Sequence, residues 1–485
     1  MNAGVSLRYL TLSQSDNYKL RPNKPFFRTW LISAIFAALT FIPLPYFPVI
    51  AYSVGSATVL TLYFTRRTRL KLTKRVGYYF IIPAVYSFVP VLLCITKANG
   101  YPLISVHCAT AVLSFLPVKF SELVFNPHFE GKNAKFIRAA ADKLRRSGTK
   151  IIAITGSFGK TSCKNILYAL LNGSFNVAMT EENRNTPMGI ALSIDKLTGK
   201  EEYFICEFGA RKKGDIKDLC SYFPPDIGII TGVCEQHSSV FGSLQVIYNE
   251  KFLLAKNIKE DGFCAFGNNL YAKKMYREYA GNKISVGACE DIYAENICRA
   301  VGKTTFNLHI HEKNKTVCTR LCGKQALENL LLCVAVADKL GVTAESIVER
   351  ISYVKQTPHR LEYSCVGGVH ILDDSYNSNT VGVRYALEYL SICPSPRIVV
   401  AQGLVELGIS QREENIHIGE EIASVADHVI LSGINKNAIK KGLKRKNYKG
   451  TIMICRNLKG VKKKLKRVVC PGATVLFQND LPDIY

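Results

Sequence analysis

One stretch of the sequence constrains the fold more than any other: IIAITGSFGKTS at residues 151–162. An apolar run leads into a glycine-rich turn, and a helical pattern follows, which is the order strand, phosphate loop, helix. Gly156 and Gly159 let the backbone turn tightly, so that its N–H groups and the N-terminus of the helix face an anion. In such a loop Lys160 contacts the outer phosphates, and the hydroxyl of Thr161 is suited to ligate Mg²⁺.

The spacing of this loop is shorter than that of the general P-loop. Only two residues separate Gly156 from Gly159, and Ile154 stands where the general motif has its first glycine. A glycine-rich turn with a surface lysine is the simpler alternative. The flanking strand and helix are what the motif requires, so we favour nucleotide binding.

The charge balance is strongly basic, with 63 Lys and Arg against 38 Asp and Glu and a net charge of +25. Basic runs can indicate nucleic acid, but beside apolar segments they more often mark the cytoplasmic side of a membrane and attract anionic lipid. We therefore expect membrane lipid, and no nucleic acid, as a partner. The 16 cysteines include no C-x-x-C pair, which argues against a zinc site and predicts reduced thiols in the cytoplasm.

Apolar runs fill much of the N-terminal quarter, at residues 30–43, 47–64, 76–96 and 103–118. The third is long enough to span a bilayer, and the others are slightly short or interrupted by proline. Basic residues precede the first run and separate the second from the third, so the positive-inside rule predicts four crossings with both termini in the cytoplasm. The sequence thus predicts a membrane segment at residues 1–118 of a multi-pass protein of the cytoplasmic membrane, with re-entrant or interfacial hairpins as the alternative.

The rest of the chain is predicted to form a connector and two α/β domains. Residues 119–147 carry mixed charge, and the helical spacing of Ala134–Arg145 predicts an amphipathic helix on the membrane surface. Beyond it, apolar runs alternate with helical patterns, which indicates parallel sheets covered by helices. A break near residue 358 divides a P-loop central domain, residues 148–358, from a Rossmann-like C-terminal domain, residues 359–485.

Two further strand ends carry polar groups. Glu207 follows the apolar run Tyr203–Cys206, and His237 lies a few residues beyond the run Ile227–Thr231. Ligands of open parallel sheets bind beyond the carboxyl ends of the strands, where the phosphate loop also lies. A carboxylate and an imidazole near a triphosphate are suited to a divalent metal, although each alone would be an ordinary surface or loop residue.

The order of these motifs resembles that of the Mur ligases, which use ATP to join an amino acid or dipeptide to a carboxylate. The set is most similar to the branch that adds D-alanyl-D-alanine to the peptidoglycan precursor. The resemblance covers roughly residues 148–485 and rests on ordered motifs, so it is specific for the family. The motifs are TGSFGKTS, Asn183–Gly189, Glu207–Ala210, the His237 loop, Phe241–Ser243, Gly323–Asn329, His359–Glu362, Asp373–Asn379 and Val405–Gly408.

The resemblance implies a role for each residue that matches a family motif. The residues that it places around the ATP phosphates are Gly156, Ser157, Gly159, Lys160, Thr161 and Ser162. The implied metal ligands are Thr161, Glu207, His237 and Lys251. Lys251 stands where the family has a carbamylated lysine, with a helix-surface lysine as an even alternative, and Lys160, His237 and Lys251 would be the catalytic residues. Asn329 would face the adenine, and Arg360 and Asp374 would reach the phosphate and ribose ends from the C-terminal domain.

The sequence also departs from the family. Gln325 stands where the family usually has histidine, Gln402-Gly403 replaces Gly-Asp, and Leu253 replaces a glutamate. Apolar runs occupy the place of the N-terminal domain that grips the UDP-sugar. Reaction type survives such changes better than substrate identity does.

Three hypotheses follow from these features. The first is an ATP- and Mg²⁺-dependent amide ligase for a cell-wall precursor, acting on a carboxylate-bearing substrate and an amine or dipeptide. The second is a related ligase for polyglutamate or for a lipid-linked acceptor. The third is a membrane-anchored scaffold that binds nucleotide without ligating. The sequence leaves open the identity of both substrates, the carbamylation of Lys251 and the oligomeric state.

Overall fold

The structure is a computed structural model of the 485-residue chain, and it describes residues 77–78, 81, 115–182, 184–235, 238–286, 291–376 and 378–480. The four predicted membrane runs lie outside these residues, apart from positions 77, 78, 81 and 115–118. Within the described ranges, no helix has both the length and the apolar character needed to cross a membrane.

The described part of the chain offers no spanning helix in support of the predicted multi-pass location in the cytoplasmic membrane, and we correct that prediction here. The prediction rested on hydropathy and on the placement of basic residues, and neither pattern is specific for a membrane segment. Three of the four runs are short of the ~20 apolar residues that a spanning helix needs, or are interrupted by proline. Apolar runs of that length do not distinguish a membrane segment from other apolar structure.

Helix α1 (Phe115–Ser147) covers the predicted connector. Its C-terminal part buries Ile137, Ala140 and Leu144 in a core that is shared with the central domain. The three residues recur with helical spacing, as on the apolar face of an amphipathic helix. The predicted position on a membrane surface is wrong, because protein side chains cover this apolar face.

A six-stranded parallel sheet, of order β2-β3-β1-β4-β5-β6, forms the centre of the next domain. Its strands are β1 (Lys150–Thr155), β2 (Val177–Met179), β3 (Tyr203–Glu207), β4 (Ile227–Ile230), β5 (Phe263–Phe266) and β6 (Lys283–Ser285). The helices between them are α2 (Lys160–Leu171), α3 (Pro187–Asp195), α4 (Asp215–Tyr222), α5 (Ser238–Phe241), α6 (Leu244–Lys256) and α7 (Leu270–Glu278).

Both faces of this sheet are covered, which explains why its strands read as continuous apolar runs. Successive side chains of a strand point to opposite faces. Along β1, Ile152 and Ile154 join one buried core, while Ile151 and Ala153 join the other. The strands therefore have no solvent-facing side, and polar groups are confined to the strand ends.

A smaller antiparallel sheet and two helices complete the central domain. The sheet has the order β7-β8-β9 and comprises β7 (Ile292–Ala300), β8 (Lys303–Ile310) and β9 (Lys313–Thr319). The helices are α8 (Lys324–Lys339) and α9 (Ala344–Ile351). Helix α8 packs against α2 in the first core, so its N-terminal turns lie close to the phosphate loop.

The C-terminal domain is built on a second six-stranded sheet, of order β10-β11-β15-β12-β13-β14, in which only the β10–β11 pair is antiparallel. Its strands are β10 (Glu362–Val366), β11 (Val369–Tyr376), β12 (Arg397–Ala401), β13 (His428–Leu431), β14 (Thr451–Ile454) and β15 (Thr474–Asp480). Its helices are α10 (Thr380–Ser391), a 3₁₀ turn (Gly408–Ser410), α11 (Gln411–Ala423), α12 (Lys436–Arg445) and α13 (Leu458–Leu465). The α/β class predicted from the alternating pattern is confirmed.

Candidate active site

The register of the central sheet brings three strand ends to one edge. Ile154 pairs with Glu207 on β3, and Thr155 pairs with Ile230 on β4. Both neighbours run parallel to β1, so the phosphate loop, Glu207 and the segment after β4 open at the same side of the sheet. This is the edge at which open parallel sheets bind their ligands.

The phosphate loop lies between β1 and α2, as predicted. Gly156 and Gly159 have φ angles of 150° and 77°, which residues other than glycine rarely adopt. A Cβ atom at Gly156 would lie 2.0 Å from Thr231 Oγ1, and one at Gly159 would lie 2.8 Å from Asn329 Oδ1. Both glycines are thus required by conformation and by space. The second contact also places Asn329 of α8 against the phosphate loop.

Hydrogen bonds to the segment after β4 hold the loop in place. The Ser157 N–H donates to Gly232 O over 2.8 Å, and Thr231 Oγ1 donates to Phe158 O. Ser157 Oγ donates to Cys234 O and accepts from Cys234 N–H, both at 3.1 Å. The hydroxyl of Ser157, a residue predicted to lie at the ATP phosphates, is thus directed to the segment after β4 and holds the loop against it.

Lys160 begins α2 and turns back over the loop. Its Nζ donates to Gly156 O at 2.6 Å. Burial lowers the pKa of Lys160 to about 8, although the Glu207 carboxylate opposes this shift. An ammonium group that is held by a backbone carbonyl over a glycine-rich loop is well placed to contact a phosphate oxygen. Ser162 lies in the same first turn of α2.

A carboxylate and a hydroxyl meet beside this loop. Thr161 Oγ1 donates to Glu207 Oε2 at 3.2 Å, and Glu207 is only 1% exposed. The other oxygen, Oε1, lies 2.9 Å from Lys164 Nζ in a buried ion pair. Carboxylate and hydroxyl oxygens beside a phosphate site are the ligands that Mg²⁺ prefers, so these residues fit the metal. Lys164 escaped the sequence analysis because it reads as an ordinary helix lysine.

Lys251 of α6 is buried, with 3% of its surface exposed, so it is not a helix-surface lysine. Burial and, to a smaller extent, the nearby charge of Lys160 lower its pKa to about 7. The preceding residue, Glu250, is buried for another reason: its carboxylate accepts the N–H groups of Gly214 and Ile216 at 2.8 and 2.7 Å. His237, the other predicted ligand of this region, lies outside the described residues.

The C-terminal domain contributes Arg360, whose guanidinium lies 4.5 Å from the centre of the Tyr376 ring. Burial lowers the pKa of Arg360, while the carboxylates of Asp374 and Glu207 act against this shift. The charge of Arg360 also helps to lower the pKa of Lys160. The arginine therefore acts electrostatically on both the phosphate loop and the predicted metal ligand.

The turn that presents Arg360 is locked by its neighbours. His359 and Leu361 have left-handed φ angles of 59° and 51°. His359 N–H donates to Glu362 Oε2 at 3.0 Å, and its Nδ1 lies 2.7 Å from Asp373 Oδ2. Although these three side chains could in principle surround a metal, their contacts with one another already explain their positions.

Asp374 lies behind the same turn. Its Oδ1 accepts the Leu361 N–H at 3.2 Å, and its Oδ2 accepts the Ser378 hydroxyl at 3.0 Å. Burial raises the pKa of Asp374 to about 7. Asp374 thus lies close to Arg360 and supports the backbone of the arginine turn.

Two family profiles match the chain in the order of its domains. Residues 154–337 match the Mur ligase middle domain, and residues 359–478 match the glutamate ligase domain of the Mur ligases. This chain carries the middle and C-terminal domains of a Mur ligase. The resemblance inferred from the motifs is confirmed to that extent.

Curated relatives of this Mur ligase include the UDP-N-acetylmuramoyl-tripeptide–D-alanyl-D-alanine ligases of Escherichia coli and Bacillus subtilis. The first is 28% identical over 302 residues, which are 60% of this chain and 66% of the relative. The second is 26% identical over 278 residues, or 56% and 60% of the two chains. The matches thus span less than two thirds of each relative.

Solved structures give the same assignment. The MurF ligase of Thermotoga maritima in complex with ADP has a TM-score of 0.65 and 27% identity, and the match covers 72% of this chain and 80% of that one. A MurF structure from Acinetobacter baumannii, at 23% identity, shares the fold with a TM-score of 0.66 over 72% and 77% of the chains. None of these relatives supports the predicted membrane lipid partner or the transmembrane assignment.

Proposed function

We propose that this protein is an ATP-dependent ligase that joins a carboxylate to an amine through an acyl phosphate and releases ADP and phosphate. One observation carries the proposal. A phosphate loop, a buried carboxylate–hydroxyl pair and an arginine from a second domain act on one edge of one sheet. That combination suits phosphoryl transfer followed by capture of the activated acyl group.

The reaction would proceed in two steps, phosphoryl transfer to the carboxylate and then acyl transfer to the amine. A carboxylate oxygen of the first substrate attacks the γ-phosphorus of ATP, the bond to the bridging oxygen breaks, and ADP leaves. The amine of the second substrate then attacks the carbonyl carbon of the acyl phosphate, inorganic phosphate leaves, and the amine loses a proton. Little covalent chemistry falls to the protein, whose part is alignment and stabilisation of charge.

The residues would divide this work between the two domains. Loop N–H groups and Lys160 would hold the β- and γ-phosphates, and Arg360 would balance the charge that spreads over the transferred group. Thr161, Glu207, His237 and a carbamylated Lys251 would hold Mg²⁺, which neutralises phosphate charge when bound. Asn329 would lie on the adenine side and Asp374 on the ribose side.

The names of the relatives suggest the substrates. We propose a UDP-N-acetylmuramoyl-tripeptide as the carboxylate donor and D-alanyl-D-alanine as the amine, which would place the enzyme in the synthesis of peptidoglycan precursors. Residues 148–358 would form the ATP-binding domain, and residues 359–485 would form the domain that closes over it.

The test is ADP release by the purified full chain. ATP alone, ATP with either substrate, and ATP with both substrates are compared in the presence of Mg²⁺. Fast release that requires both substrates, together with formation of the pentapeptide product, supports the proposal. Sustained ADP release that the amine supports without the carboxylate, or ADP binding without ligation under every condition, contradicts it, and the second result favours a nucleotide-binding scaffold.

A further inference from the structure

Lys164 is a fully buried lysine, 1% exposed, one helical turn beyond Lys160 on α2. Its Nζ lies 2.9 Å from Glu207 Oε1 and donates to Thr180 O at 2.9 Å and to Glu182 O at 2.5 Å. Thr180 O and Glu182 O accept hydrogen bonds from the ammonium. Glu207 Oε1 is paired with it by charge and has no hydrogen-bond partner within the described part of the chain. A buried charge is tolerated only when it is paired in this way.

These contacts determine how Glu207 faces the site. The Lys164 ammonium attracts Oε1 through the ion pair, while Oε2 accepts a hydrogen bond from Thr161 at the start of α2. A carboxylate that is held through one oxygen keeps the other in a constant direction. Partners of this kind, one shell behind a metal ligand, orient the ligand and tune its affinity for the metal.

The same ammonium fixes a second segment. Thr180 and Glu182 lie directly after β2, on the way to residues 183–186. The far side of this segment is also anchored, because the Gly209 N–H donates to Asn185 O at 3.0 Å just beyond Glu207. Lys164 therefore joins the phosphate-loop helix, the carboxylate and this segment through one buried charge.

We propose that Lys164 is a positioning residue that holds Glu207 in the orientation needed to bind Mg²⁺ with the nucleotide. The inference rests on the proposed function, since it takes Glu207 as a metal ligand. The competing explanation is purely structural: Lys164 neutralises Glu207 so that the core can fold. The two explanations differ in what happens to metal affinity when the protein remains folded.

The experiment measures ADP binding to the full chain by calorimetry over a range of Mg²⁺ concentrations. In Lys164→Met, which keeps most of the length of the unbranched side chain and loses its charge, the half-saturating Mg²⁺ concentration should rise about tenfold or more, the usual effect of losing such a partner. Cys163→Ala is the matched control, because Cys163 is equally buried on the same helix. It should lower the melting temperature and leave the Mg²⁺ dependence unchanged.

Two more variants keep the test decisive. Lys164→Arg retains the cation, so it should fold more readily than the methionine variant and shift the Mg²⁺ dependence less. In a Glu207→Gln background, Lys164→Met should cause no further shift, because the oriented ligand is already lost.

An unchanged Mg²⁺ dependence in folded Lys164→Met or an equal further shift in the Glu207→Gln background would overturn the inference, with the proposed function left standing. Failure of the unaltered protein to bind ADP at any Mg²⁺ concentration would overturn the proposed function itself.

Discussion

The two halves of the candidate site are built in different ways. On the central domain, consecutive residues of the phosphate loop take their places through backbone conformation, two indispensable glycines and hydrogen bonds to Gly232 and Cys234. On the C-terminal domain, a single side chain, Arg360, extends from a turn that is locked by its own neighbours. The first half is complete within its domain, whereas the second acts only if the two domains stay packed.

The contact between the domains is therefore part of the site. Tyr389 Oη of α10 accepts the Gly302 N–H at 2.8 Å and donates to Ala300 O at 2.9 Å, so it binds the β7–β8 turn. Arg299 and Glu388 add an ion pair of 2.9 Å nearby. Variants of each half of the site, and of the contact between the domains, should therefore affect ADP affinity and the rate of ligation to different extents.

The largest effect is expected at the phosphate loop. Lys160→Ala removes the cation nearest to the phosphates, so ligation should fall by about 100- to 1,000-fold, the usual loss when a preorganised charge contact is deleted. ADP affinity should fall as well, because this half binds the ground state. Steady-state kinetics and calorimetry measure the two losses, and a melting temperature near that of the unaltered protein shows that the fold survives. Full activity would remove the phosphate-loop assignment.

Arg360→Ala should be more selective. Because the arginine belongs to the domain that completes the site, turnover should fall by about 100-fold while ADP binding falls by less than tenfold. Comparable losses of turnover and ADP affinity would show that Arg360 contributes to nucleotide binding as the phosphate loop does. That result would contradict the proposed difference between the two halves of the site. Lys213→Ala, an exposed lysine of the central domain, serves as the control.

The sequence predicted best those structural elements that are determined by residues close together in the chain. The strand–loop–helix unit, the strand ending at Glu207 and the paired α/β domains follow from apolar period and glycine spacing, and the structure has them. The pattern did not predict strands β2, β5, β6 and β10 or the antiparallel sheet β7–β9. Strands of three to five residues and half-exposed polar strands give little periodic signal.

The sequence did not predict those contacts in the candidate site that join residues far apart in the chain. Nothing in the helix pattern around Lys164 indicates that its partner is Glu207, because only tertiary packing brings the two together. The burial of Lys251 is a similar case. The membrane assignment shows the opposite error, in which composition was taken as evidence for an environment.

A third prediction concerns Lys251. Carbon dioxide reacts with the neutral amine, and a pKa lowered from 10.5 to about 7 makes that form predominant above pH 7 rather than above pH 10. In ¹³C-bicarbonate, a carbamate signal should therefore grow between pH 6 and pH 8. Lys251→Ala should lose this signal together with about tenfold in activity. Lys256→Ala, an exposed position on the same helix, should retain both. A signal that persists without Lys251 would refute the assignment.

The smallest effect is expected at the domain contact. Tyr389→Phe leaves the Gly302 N–H and Ala300 O without their side-chain partner, which should cost about 1–3 kcal/mol of unfolding free energy. Turnover should fall only a few-fold, through Arg360, with ADP affinity unchanged. Denaturant unfolding checks the first value, and Tyr353→Phe, at a residue that is 69% exposed, should change neither property. A loss of ADP affinity equal to the loss of turnover would contradict the division of labour described above.

The central claim is that an acyl phosphate forms at this site, and oxygen transfer tests it most directly. The carboxylate of the UDP-N-acetylmuramoyl-tripeptide is labelled with ¹⁸O, and the phosphate released during ligation to D-alanyl-D-alanine is analysed by mass spectrometry. Attack of the carboxylate on the γ-phosphorus predicts one ¹⁸O atom in each released phosphate. Ligation that releases only unlabelled phosphate would contradict the account.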